Sequence, residues 1–320
     1  MSTYKEINGQ KVQNVSSDPP ASFTGQVWYN STSGALKVDT GTLVSSWATG
    51  GDLNQNRYIL AGAGTQTAAL AFGGQIPGTT AVTESYNGTS WTEVNALTNV
   101  RKGLAGAGTN TAALSFGGSP GPTTQTETWN GTNWATTNSL NTARTYLAGC
   151  GASNTASLAV GGNAAPQNQT ETWNGTNWNT VNPLNSARKG LVGVGTNTAA
   201  LGFGGYLATS SQTANTELWN GTNWTAVNPM NTARSYLGGA GTQTSALGFG
   251  GTAAPKAQTE SWNGTNWTNV DDLGTARYKL AGAGTSNTSA LAFGGLNGFP
   301  SKAATEEFSE TGGIVTITTS

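Results

Sequence analysis

An arginine recurs along this chain at Arg57, Arg101, Arg144, Arg188, Arg234 and Arg277, at intervals of 44, 43, 44, 46 and 43 residues. A glutamate follows each: Glu84, Glu127, Glu171, Glu217, Glu260 and Glu306. These make up 12 of the 29 charged side chains, so the remaining sequence is close to neutral. Two chemistries suit such pairs. An Arg can reach a Glu in its own or a neighbouring repeat and tie repeats together through charge-assisted hydrogen bonds. Alternatively, Arg, Glu and Trp can line carbohydrate pockets between repeats. Folding alone explains a sixfold recurrence, which favours the first. Catalytic constellations are scarce. Glycoside hydrolysis needs two carboxylates, but the adjacent pairs Asp271-Asp272 and Glu306-Glu307 read as solvated loop surface. With no histidine in the chain, Ser-His-Asp and Cys-His catalysis and histidine-based metal sites are excluded. The glycine-rich segments lack the Gly-Lys-Ser/Thr ending of a phosphate-binding loop. No catalytic residue, metal or cofactor is expected.

The elements that carry these residues repeat with them. Each Arg is followed by a small-residue segment such as Leu60-Ala61-Gly62-Ala63-Gly64, a Thr-rich turn, and an apolar run ending in Gly-Gly. A variable loop then leads to Thr-Glu and, two residues after the Glu, an aromatic: Tyr86, Trp129, Trp173, Trp219, Trp262 or Phe308. Five repeats continue through Asn-Gly to a second Trp, ten residues ahead of the next Arg. Each unit predicts four short strands, a to d. Asn-Gly supplies the positive φ of a c–d turn, which also accounts for the Asn-Gly-Thr sequons. Only 35% of residues are hydrophobic and 46 are Gly, so no thick aliphatic core can form; 11 Trp, 8 Tyr and 8 Phe must fill the space between sheets. The net charge of −1 offers no footprint for nucleic acid or an anionic membrane. Cys150, the single cysteine, reads as a small buried residue. The N-terminus lacks the apolar run of a secretory signal, and no segment is apolar enough to span a bilayer, so neither secretion by the general route nor membrane insertion is expected.

Gly-Gly, Glu before an aromatic, Trp, and a closing segment such as Pro229-Met230-Asn231-Thr232-Ala233-Arg234 resemble the kelch repeat over about residues 47–310. The resemblance implies an all-β fold, a six-bladed kelch-like β-propeller, with seven blades as the alternative count. The chain divides on this reading into an N-terminal segment, 1–45, and the propeller, 46–320. Galactose-oxidase-like enzymes share the kelch architecture but need histidine ligands for copper, so their activity does not carry over. Six-bladed fucose-type lectins carry sugar pockets between blades, the second reading of the Arg/Glu set. The wording Trp-Asn-Gly-Thr-Asn-Trp with Thr-Ala-Arg and Leu-Ala-Gly-Ala-Gly-Thr also resembles kelch-type virion proteins of marine and cyanobacterial phages. Residues 25–37 read as a hairpin similar to a short element near the N-terminus of many phage tail and fibre proteins. The sixth repeat lacks a second Trp, which leaves Trp47 or Ile314–Thr318 to supply its outer strand.

In an up-and-down sheet the b–c and d–a connections emerge on one side, and the a–b and c–d turns on the other. The second side is nearly uniform. The first varies: its b–c loops hold 8, 7, 7, 10, 7 and 9 residues. Tyr206, Leu207 and Phe299 lie in these loops, and Tyr58, Lys102, Tyr146, Lys189, Tyr236, Tyr278 and Lys279 lie one or two residues after the arginines. Aromatic and basic residues that change between otherwise constant repeats are what a ligand-reading surface would show, and also what neutral drift in exposed loops leaves. The resemblance to phage kelch-type proteins implies that the chain is a non-enzymatic phage virion protein. Its N-terminal segment would join other virion proteins, and its propeller would be presented in several copies to a host-surface glycan or protein. A lectin-like propeller is the alternative.

Overall fold

The computed structural model describes residues 12–19 and 25–317. The chain divides into two compact units, Met1–Ser45 with Glu310–Ser320, and Ser46–Ser309. Among the described residues there is no helix; the architecture is all-β.

The larger unit repeats a four-stranded antiparallel sheet of the kind that forms propeller blades. In the first repeat strand a is Ala61–Gly64, b is Ala69–Phe72, c is Thr83–Tyr86 and d is Trp91–Val94, paired in that order. The second to fifth repeats follow the same plan, with strand a at Ala105–Gly108, Ala148–Ser153, Val192–Gly195 and Gly238–Gly241. In the sixth, strands Ala281–Ser286 and Ser289–Phe293 are followed by the strand that begins at Thr305. Beside that last strand lies Ala35–Thr49, which carries Trp47. Of the two segments expected at this edge, Trp47 takes the place next to strand c. Residues 314–316 instead continue the strand from Thr305, and Thr318 lies outside the described residues.

The c–d connection is four residues long. Tyr86 pairs with Trp91, and the Asn87 side chain accepts hydrogen bonds from the N–H groups of Thr89 (3.0 Å) and Ser90 (2.9 Å) while Gly88 takes φ +92°. Asn therefore closes the turn with its side chain and Gly with its backbone. Strand a is glycine-rich because its neighbours are so near. A Cβ on Gly106 would stand 2.6 Å from the carbonyl oxygen of Gly62 in the preceding repeat and 2.6 Å from the Phe72 ring. Each strand a touches that of the next repeat, and that of the sixth touches that of the first.

The core is built between repeats, in six clusters that each draw on two consecutive ones. Phe at the end of strand b packs on the strand-d Trp of the following repeat: Phe72 on Trp134 at 4.9 Å, Phe116 on Trp178 at 4.8 Å, Phe203 on Trp267 at 4.8 Å and Phe293 on Trp91 at 4.9 Å. Trp47 completes the series against Phe249 at 5.1 Å. Each of these indoles donates to the Thr of the preceding repeat's Thr-Glu, as Trp134 does to Thr83 (3.0 Å), Trp178 to Thr126 (3.0 Å), Trp91 to Thr305 (2.9 Å) and Trp47 to Thr259 (3.2 Å). The buried indole N–H needs an acceptor, which explains Thr at that position.

Cys150 is buried in the cluster between the third and fourth repeats, and burial pushes its thiol up to about 12. Because the thiolate is the reactive form, alkylation of the native protein at pH 8 is expected to run on the order of a thousandfold slower than for a free thiol. Mass-spectrometric labelling before and after denaturation checks this.

In the smaller unit Val27–Asn30 pairs antiparallel with the strand from Ala35, forming the expected hairpin, and Gln13–Val15 runs parallel to it. Asp18 accepts hydrogen bonds from Lys37 (2.8 Å), Asn30 (2.7 Å) and Trp28 (3.0 Å), which together lower its carboxyl to about 2.

Candidate functional site

The six arginines lie on the connections that enter each sheet and reach into their own repeat. Arg144 Nη1 donates to the carbonyls of Gly161 (2.9 Å) and Gln169 (2.9 Å), and Nη2 to Glu171 Oε1 (2.8 Å). The same pairing joins Arg57 to Glu84, Arg101 to Glu127, Arg234 to Glu260 and Arg277 to Glu306 at 2.6–2.9 Å, and Arg188 to Glu217 at 3.1 Å. The second Glu oxygen accepts a backbone N–H from the same connection, Asn141 in the case of Glu171 (2.7 Å). Meanwhile the arginine backbone serves the repeat before it: the Arg144 carbonyl accepts from Gly118 N, and that of Arg57 from Gly295 N, each at 2.8 Å. Side-chain exposure across the six pairs is 0–6%. Burial pushes the guanidinium pKa values down and the facing glutamates oppose it. A sugar would find no accessible guanidinium here; the geometry is that of a staple.

Two residues beyond each Arg the chain does something else. Ile59, Gly103, Tyr146, Gly190, Tyr236 and Lys279 all adopt φ between +53° and +61°. Their backbones form a continuous hydrogen-bonded circuit. Gly103 N donates to Ile59 O, Tyr146 to Gly103, Gly190 to Tyr146, Tyr236 to Gly190, Lys279 to Tyr236, and Ile59 back to Lys279, at 2.7–2.9 Å. Positive φ is easy for Gly and costs a side-chain-bearing residue about 1 kcal/mol or more. Four of the six positions bear that cost, including β-branched Ile59.

Their side chains meet at one end of the cavity that strand a of all six repeats surrounds. A cavity of about 120 Å³ there is lined by Ile59, Tyr146, Tyr236, Lys279 and the leucines that follow them. The rings of Tyr146 and Tyr236 meet edge to face at 5.5 Å and 85°, each lying against the neighbouring repeat's glycine, Gly103 or Gly190. The Lys279 ammonium stands 5.5–5.9 Å from the ring centres of Tyr58, Tyr236 and Tyr278, and Lys256 lies 5.1 Å over Tyr278. Burial, and then the charge of Lys102, push the Lys279 amine down. The other end opens into a larger cavity of about 310 Å³, walled by Gly, Ala, Val, Thr and Cys150 only. It has volume but little chemistry to select a ligand. Among the described residues no three His, Cys, Asp or Glu side chains gather as a metal site would require.

Compared with known proteins, the chain matches no family model and no curated protein.

The sequence-predicted binding residues thus fall into three groups. Tyr146, Tyr236 and Lys279 line the cavity, Tyr58 and Tyr278 stand 5.9 and 5.5 Å from the Lys279 ammonium, and Lys102 acts on that ammonium electrostatically while hydrogen-bonded to Gln75 (2.9 Å). Lys189 pairs with Tyr206 in a two-residue ladder that also joins Arg188 to Leu207. Phe299 stands apart, 85% exposed in the sixth b–c loop. Ile59, Gly103 and Gly190 were missed. Comparing the second residue after each Arg across repeats would have exposed them, since a position that alternates Gly with large residues signals positive φ.

Proposed function

We propose that this chain is a non-catalytic binding module, a closed six-bladed kelch-like β-propeller that presents its b–c and d–a side to a ligand. The backbone circuit through Ile59 and Lys279 supports closure, as does the sixth Trp–Thr bond made by Trp47. The phage setting rests on the resemblance of the repeat wording to virion proteins. In it, residues 1–45 join the module to the particle, and several copies face a host-surface glycan or protein. The observation that carries the binding role is that Tyr146, Tyr236 and Lys279 line one end of the cavity, with Tyr58 and Tyr278 beside the Lys279 ammonium, when no aromatic or charged side chain lines the opposite end. The pairing of every repeat glutamate with an arginine leaves no free acid–base couple in the ring and supports a reading without catalysis.

Contacts of this kind give single-site affinities on the order of millimolar to micromolar, and multiple copies raise them to useful attachment. Replacing Tyr146, Tyr206 and Tyr236 with Ala is expected to reduce adsorption or partner binding at least tenfold. Substitutions in the Asn-Gly-Thr turns of the other side should leave it unchanged. Loss of binding in the turn variants alone places the ligand on the wrong side for this reading, and hydrolysis of a host polysaccharide by purified protein refutes the non-catalytic role.

A further inference from the structure

We infer that the cavity mouth is a site for an acidic saccharide, a pyranose carrying a carboxylate. This rests on the reading that the b–c and d–a side binds, and it names the ligand class.

Charge is partitioned across the larger unit. Its six arginines are consumed by six glutamates, which leaves five lysines: Lys102, Lys189, Lys256, Lys279 and Lys302. All five lie on d–a or b–c connections, and none on the opposite side. The b–c loops contain no Asp or Glu. The acids of the d–a connections, Asp52, Asp271 and Asp272, lie at least five residues before the arginines, and Asp52 and Asp272 bond the backbone at the start of strand c, at Thr305 (3.2 Å) and Thr259 (3.1 Å). The cavity lining therefore carries the Lys279 ammonium with Lys102 near enough to act on it, and the acids of these connections sit nearer the outer strands. Lys279 lies close to three tyrosine rings, and none of the ion pairs among the described residues involves it. A half-buried ammonium in that position favours an incoming anion.

The rings narrow the class further. At 85° to one another, Tyr146 and Tyr236 form a corner. A puckered sugar can lay its C–H face on one ring of such a corner and its edge on the other. A cavity of about 120 Å³ takes the acid group and part of one sugar ring, with the remainder of the glycan outside. The backbone supplies an independent sign. Gly satisfies the circuit at positions 103 and 190, yet positions 146, 236 and 279 carry Tyr, Tyr and Lys at positive φ. Strain retained where glycine would serve is characteristic of a ligand site.

That contrast makes the test. Tyr146→Gly, Tyr236→Gly and Lys279→Gly each install the residue that the second and fourth repeats already use, so all three are expected to melt at or above the parent temperature. Binding is measured by calorimetry and saturation-transfer NMR with methyl glucuronide, the neutral methyl glucoside and inorganic phosphate. The glucuronide should bind about tenfold or more tightly than the glucoside. Lys279→Gly should bring it down to the glucoside's level, and either Tyr variant should weaken both sugars. Equal binding of the two sugars, or phosphate binding as tightly as the glucuronide, overturns the acidic-saccharide assignment. So does a lowered melting temperature in the Gly variants with sugar binding intact. If no glucuronide binds but the Tyr variants lose adsorption, the ligand class falls and the binding side stands. If adsorption is also unchanged, both fall.

Discussion

Arg144→Ala is expected to destabilise the protein by about 3–5 kcal/mol, because it strands Glu171 at about 1% exposure without its cation. It also removes two bonds to the Gly161 and Gln169 carbonyls, which hold the ends of the b–c loop. Arg144→Lys should recover little, since an ammonium cannot reach two carbonyls and a carboxylate in the planar fork of a guanidinium. The double change Arg144→Met with Glu171→Leu should be far milder than either truncation, because it removes the desolvation cost along with the attraction. Arg188→Ala is the internal control. Arg188 stands 3.1 Å from Glu217 and its Nη1 makes no hydrogen bond, in the repeat with the ten-residue b–c loop, so its loss should cost less than that of Arg144. Denaturant titration of the full chain measures all four. A loss below about 0.5 kcal/mol for Arg144→Ala, the range of ordinary surface changes, would refute the staple.

Trp178→Ala should cost a similar amount, about 3–5 kcal/mol. The indole fills the wedge between the second and third repeats, against Phe116 at 4.8 Å and Trp173 at 5.4 Å, and it satisfies Thr126. The informative comparison is Trp47→Ala. Trp47 is only half-buried, yet it makes the same Phe contact and the same Thr bond on behalf of the sixth repeat. If the ring closes through it, its removal should lower stability by at least half as much as Trp178→Ala and expose the Phe249–Phe308 wedge to a hydrophobic dye. A neutral Trp47→Ala would mean that closure depends on other contacts, such as the bond from Tyr86 to Glu307 (2.5 Å) between the first and sixth repeats.

What the sequence determined by itself was whatever recurs within one repeat. The strand order, the Asn-Gly turns, the glycine-rich strand a and the Arg-to-Glu spacing are local or nearly so. Each Arg meets the Glu 26–29 residues ahead of it; the sixfold repetition marks both residues, while the folded structure shows that they meet within one repeat. The outer Trp was legible as wedge filler, and Trp47 as a candidate sixth copy, from its ten-residue distance to Arg57.

Tertiary structure alone decided the rest. The backbone circuit joins residues one repeat apart, and its last link joins Ile59 to Lys279, so no local pattern contains it. Positive φ at those six positions turns Tyr146, Tyr236 and Lys279 into a common mouth, and Tyr58 and Tyr278, one residue earlier in their repeats, stand beside the Lys279 ammonium. Lysines that look scattered along 320 residues become a one-sided charge only when the connections that carry them emerge together. Spacing in the chain encodes which side chains recur. Where they converge depends on backbone bonds between repeats, and those exist only in the folded molecule.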